Sequence, residues 1–140
     1  PDSVRVATAI GRITMHPETL GLILDGQMPK GDVFTVARLA GINAAKHTWD
    51  LIPLAHQIPL SVVAVDFETD RPNGVVIITS GTRTTAKTGV EMEALAAVAV
   101  AGLTIYDMCK AVDRSMTISE IRLLQKSGGT KPDYRADASE

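Results

Sequence analysis

The sequence predicts an α+β fold: an antiparallel sheet with helices packed on one face. Three observations carry this. A hairpin lies mid-chain, where Ser61–Thr69 alternates apolar and polar, Arg71-Pro72-Asn73-Gly74 turns, and Val75–Thr85 returns rich in β-branched residues. A helix follows at Glu91–Val112, apolar on nearly every side and so expected at the core. Strand-like stretches stand at both ends, Val4–Met15 and Thr117 to about Leu124.

In the first strand Val4, Val6, Thr8 and Ile10 share a face, and Gly11 marks a bulge where the pattern shifts. Pro17 opens a short helix with Leu20, Ile23 and Leu24 on its apolar side, stopped by Asp25-Gly26. Asp32 is a fitting N-cap for a second helix running to about Trp49, with Val33, Val36, Ala37, Ala40, Ala44 and Ala45 at helical spacing. Leu51–Pro59 is a proline-bounded connection that holds His56. Along Ser61–Thr69 the inward residues are Val63, Val65 and Phe67. The order β-α-α-β-β-α-β is the ferredoxin-like split βαβ with one added helix. It leaves one sheet face open, kept partly wet by Thr79, Thr82, Arg83, Thr84 and Thr85, the rest being available to another subunit. Residues 1–125 are read as a single domain, and 126–140 as a Gly-rich basic loop and a polar, partly disordered tail.

A chain of 140 residues with 45% hydrophobic content suits one globular core. The net charge of -2 argues against a general nucleic-acid binder. Cys109 is the only cysteine, which excludes an internal disulfide and a CxxC metal site, and a reducing cytoplasmic setting is the simplest. Neither a metal nor a cofactor is expected. No stretch reads as a signal peptide, although the chain opens at Pro1-Asp2 without an initiator Met. Glu93 and Asp107 bracket the longest apolar run, so no membrane span is expected.

Charged residues on a core helix need partners or a purpose. Asp107 and Lys110 lie three apart on one helical face, as an ion pair or as a site. Glu91 and Glu93 stand in a first turn, where the helix dipole alone favours carboxylates. His56 reads as a hydrogen-bonded structural residue or a catalyst. Three basic glycine turns, Lys30-Gly31-Asp32, Lys87-Thr88-Gly89 and Lys126-Ser127-Gly128-Gly129-Thr130-Lys131, point together to a polyanionic ligand, though none is a Walker A loop. A nucleotide-binding regulatory oligomer without enzymatic activity would satisfy the same features.

KTGVEMEAL (Lys87–Leu95) and LTIYDMCKAVDR (Leu103–Arg114) give the chain a family likeness. With KGDVFTVARLAGINAAK (Lys30–Lys46), TWDLIPLAH (Thr48–His56) and RLLQKSGG (Arg122–Gly129), it resembles the MoaC family of molybdenum cofactor biosynthesis, the cyclic pyranopterin monophosphate synthases. The resemblance implies conversion of a cyclised dihydroguanosine triphosphate to cyclic pyranopterin monophosphate with release of pyrophosphate. By position it makes Asp107 and Lys110 the catalytic pair. Arg5, Lys30, Leu54, Ala55, His56, Glu91, Met92, Glu93 and Lys126 fall at the family's pocket positions. It also implies a hexamer of three dimers with the site at a subunit interface. Two positions depart from the family pattern, Ala55 for Cys before the histidine and Gln57 for Pro after it, and an MVDVS-like N-terminal segment is absent.

The residue chemistry suits that reaction. A carboxylate beside an amine can shuttle protons during a skeleton rearrangement, and a lysine stripped of water gives up its proton more readily. Lys30, Lys126 and Arg5 would supply cations to the triphosphate. Helix geometry adds a constraint. Glu93 and Asp107 are separated by about 21 Å along the axis at ~1.5 Å per residue, too far for one compact pocket in a single chain.

Overall fold

The computed structural model describes residues 2–129 and 131–137. The chain runs β1 (Ser3–Thr14), α1 (Pro17–Leu24), α2 (Val33–Lys46), α3 (Thr48–Leu51), β2 (Val62–Asp70), β3 (Val75–Ala86), α4 (Glu91–Cys109), β4 (Thr117–Ser127) and β5 (Tyr134–Arg135). The five strands form one antiparallel sheet in the order β2-β3-β1-β4-β5. Without β5 this is the split βαβ arrangement expected, and α2 and α4 pack on one side of it.

The core lies between α4 and the sheet. Ala7, Ala9 and Ile13 of β1 are fully buried, with Val76 and Ile78 of β3 and Ala94, Ala97, Ala101 and Ile105 of α4. Small residues let the backbones close. A Cβ at Gly11 would stand 2.5 Å from Val98 Cγ1, and one at Gly41 would stand 2.8 Å from the carbonyl oxygen of Ala97. Burying an Ile or Leu fully contributes about 1.5–3 kcal/mol, and Ile13, Leu20, Ile78 and Ile105 are all at 0% exposure.

The structure corrects several sequence expectations. Which face of β1 is buried was left open by the sequence: the face bearing Val4, Val6, Thr8 and Ile10 is the open one, and the core face carries Ala7, Ala9, Gly11 and Ile13. The reason is the helix, which takes the space that branched side chains would need. The irregularity near Gly11 belongs to the neighbouring strand: Ile10 pairs with Arg122 and Arg12 with Ser119, so Glu120 and Ile121 oppose Gly11. Glu120 takes φ 55 to make the extra step. Thr82 and Thr84 do not wet the open face; they are buried at 1% exposure on the helix side. Their hydroxyls are satisfied by carbonyls. Thr82 Oγ1 donates to Val90 at 3.1 Å, Thr84 Oγ1 to Pro59, and the nearby Ser80 Oγ to Ala94 at 2.7 Å.

Helix ends also shift. The second helix stops at Lys46, because His47 leaves helical geometry at φ −119, and Thr48 starts the separate turn α3. The last residues of the expected 91–112 helix form a turn after Cys109, with Val112 N–H and Asp113 N–H both on the Cys109 carbonyl. The boundary drawn at 125 falls inside β4, which continues to Ser127 and receives β5 at Gln125 and Lys126. Of the basic loop and tail, Thr130 and residues 138–140 lie outside the described residues. By length and composition α4 is apolar enough to cross a membrane, contrary to the expectation that its charges exclude this, yet half of it is buried against the sheet and α2.

Candidate active site

One cluster forms where α4 ends. Lys110 Nζ donates to Asp107 Oδ1 at 2.9 Å, across one turn of helix. Lys30 comes from the loop between α1 and α2 and reaches Asp107 Oδ2 at 3.4 Å and the Asp107 carbonyl at 3.3 Å. The carboxylate is therefore held between two ammonium groups. Lys110 first and Lys30 second keep its carboxyl below the ordinary range. The anion turn expected at Lys30-Gly31-Asp32 is otherwise employed. Asp32 itself caps α2, accepting from Thr35 N–H at 3.2 Å and from the Thr35 hydroxyl at 2.7 Å. The side chains of Asp107, Lys110 and Lys30 are 56%, 52% and 51% exposed, so within one chain the desolvation expected of a core helix is not supplied.

A second cluster forms where α4 begins. Lys126 Nζ of β4 pairs with Glu91 Oε1 at 3.2 Å. The two line a cleft of about 300 Å³ with Arg5, Lys87, Thr88, Gly89 and Lys131. Arg5 is already engaged: its Nε donates to the Ala86 carbonyl and its Nη2 to the Lys87 carbonyl, both at 2.9 Å. It thereby fastens β1 to the loop that carries Lys87. His56 lines a neighbouring cleft, which it shares with Lys87 and Thr88. Leu54 of the same connection is 93% exposed and Ala55 half-buried.

Glu93 is separate from both. It is 4% exposed, and burial first, then the adjacent Glu91, push its carboxyl upward against its own backbone N–H. Met92 faces outward at 40% exposure. Cys109 is buried, and desolvation with Asp113 nearby pushes its thiol up to about 11, so it remains a neutral packing residue.

The structure thus divides the candidate residues in two. Asp107, Lys110 and Lys30 meet at one end of α4, and Arg5, Glu91 and Lys126 meet at the other with His56 close by. Along the axis the ends are about 24 Å apart at ~1.5 Å per residue. Met92, Ala96, Ala99 and Leu103 form a stripe between them at helical spacing, with Met92 and Leu103 exposed and the alanines partly so. Lys87 and Lys131 were legible only as parts of glycine turns. Asp113 accepts from Ser115 two residues on, but its other partners, His16 and Thr19, are distant in the chain and left no sequence signal.

A small α+β protein with an apolar central helix, and with lysines gathered on a carboxylate at each end of it, is the class that the fold and these clusters define. Residues 1–129 match the MoaC family, and the chain belongs to that family. Membership places it in molybdenum cofactor biosynthesis and points to a pterin-precursor substrate.

Proposed function

We propose that this chain is a cyclic pyranopterin monophosphate synthase. It takes 3',8-cyclo-7,8-dihydro-GTP and releases cyclic pyranopterin monophosphate and pyrophosphate. The observation that carries the reading is the Asp107 carboxylate held between Lys110 and Lys30. Such a carboxylate can accept a proton from one substrate atom, while an ammonium neighbour donates a proton to another and is reprotonated afterwards. Closing the cyclic phosphate forms a bond from a substrate hydroxyl oxygen to the α-phosphorus and breaks the bond to the β-phosphate. The hydroxyl proton leaves to a base, and pyrophosphate departs as an anion. Lys126, Lys87 and Lys131 are arranged to stabilise that anion.

The complete site requires two copies of the chain. A second copy running antiparallel along the Met92–Leu103 stripe would set its Glu91 end beside the first copy's Asp107 end, and would remove water from Asp107 and Lys110. A hexamer of three such dimers is a closed symmetric solution.

Incubation with the cyclised triphosphate, followed by mass detection of the pterin and assay of pyrophosphate, tests the reaction. Binding with nothing liberated would replace it with a regulatory role. Light scattering and subunit mixing test the shared site. Asp107→Asn and Glu91→Ala subunits, each inactive alone, should regain activity when exchanged; an active monomer would refute the shared site.

A further inference from the structure

The turn that follows α4 is fastened by a buried carboxylate whose partners all lie outside that helix. Asp113 is 4% exposed. Its Oδ2 accepts from the His16 backbone N–H at 3.0 Å and from the Thr19 hydroxyl at 2.9 Å. Its Oδ1 accepts from Ser115 N–H at 2.8 Å and from the Ser115 hydroxyl at 2.6 Å. His16 and Thr19 belong to the start of α1, whose own N-cap, His16, offers no side-chain cap. Asp113 therefore caps a helix whose start lies 94 to 97 residues before it. Four donors to one buried carboxylate form a geometry with little freedom.

What this clamp joins is informative. On one side it holds Lys110-Ala111-Val112, the turn in which Lys110 N–H bonds to the Tyr106 carbonyl and Asp113 N–H to the Cys109 carbonyl. On the other side it holds α1, and the loop leaving α1 delivers Lys30. The two cations that meet Asp107 thus come from two segments pinned together at one carboxylate. Neither cation has a rigid mount of its own, since both side chains are about half exposed.

We propose that Asp113 is a positioning residue, which sets the distances of Lys110 and Lys30 from Asp107 by locking the α4 exit turn onto the N-terminus of α1. This rests on the reading of Asp107 and Lys110 as the reacting pair. It assigns a role to a residue that touches no substrate. Misplacing a reacting group by about 1 Å costs on the order of 10²-fold in rate, so loss of the clamp should appear in kcat rather than KM.

The test uses Asp113→Asn, which keeps the shape but loses half the acceptor capacity, and Ser115→Ala and Thr19→Val, which each remove a hydroxyl donor. The readouts are steady-state kinetics with the cyclised triphosphate and an NMR titration of the Asp107 carboxyl, both below the unfolding temperature. Asp113→Asn should lower kcat by about 10²-fold with KM within about threefold, and should move the Asp107 titration up toward the ordinary carboxylate value. Ser115→Ala should show the same two changes at smaller amplitude. Should Asp113→Asn fail to fold, Ser115→Ala and Thr19→Val decide the matter. Wild-type kcat and titration in folded variants would overturn the proposal, as would a fall in kcat with the Asp107 titration unmoved. A shifted titration in a protein that makes no product even as wild type would leave the clamp standing and overturn the proposed reaction instead.

Discussion

Lys110 Nζ stands 2.9 Å from Asp107 Oδ1, and both side chains are more than half open to water. Exposed pairs of this kind contribute little to folding, because water already screens them. Lys30 approaches the same carboxylate from a different segment. Water screening leaves this pair little structural worth, which is consistent with the reactive role proposed for it.

Asp107→Asn and Lys110→Ala should therefore fold normally, with thermal midpoints close to wild type, and lose product formation by about 10²–10⁴-fold. Thermal denaturation and single-turnover assays check both halves. Near-wild-type turnover in either variant would remove that residue from the chemistry.

Removing Lys126 or Lys131 should weaken binding of the triphosphate and flatten its salt dependence, since partly exposed charges are screened over about 8 Å at physiological ionic strength. Both line the cleft at the start of α4, whereas Lys30 lies with Asp107. Lys30→Ala should consequently depress turnover more than affinity. Calorimetric titrations across a salt series distinguish the two patterns.

Gly11→Ala should destabilise by about 1–3 kcal/mol, the usual cost of overpacking. Its Cβ would meet Val98 Cγ1 at 2.5 Å. Shortening the neighbour in the double variant Gly11→Ala/Val98→Ala should recover part of the loss in denaturant melts. Simple additivity of the two losses would show that the contact is not the cause.

Acid should unfold the protein partly through Asp113. Burial acts to raise its carboxyl, but hydrogen bonds from Ser115, the His16 N–H and Thr19 outweigh it and hold it well below the ordinary range. A group depressed on folding contributes stability that is present above the unfolded value of about 3.9 and lost as pH falls toward the folded one. Below about pH 4, wild type should lose stability faster than Asp113→Asn. Glu93 has the opposite sign. Its raised carboxyl makes the charged form unfavourable in the fold, so stability rises as pH falls through the raised value. Glu93→Gln should accordingly raise the thermal midpoint at neutral pH and leave it little changed near pH 4. A midpoint lowered at neutral pH would mean that the Glu93 carboxylate has a partner that stabilises it.

The sequence alone determined the parts that depend on local patterning. Periodicity and turn chemistry located every long element, and Val63, Val65 and Phe67 were placed inward as found. The long family motifs single out Asp107, Lys110 and the residues at the family's pocket positions. Tertiary structure decided what depends on packing. Which face of β1 is buried followed from how closely α4 lies on it, because small residues there carry no hydrophobic signal of their own. Thr82 and Thr84 looked solvent-facing, yet carbonyls from other segments satisfy their hydroxyls. The division of the candidate residues between the two ends of α4, and the Asp113 clamp, depend on contacts between segments far apart in sequence. Such contacts leave no periodic trace in the chain and arise only when the sheet and helices close on one another.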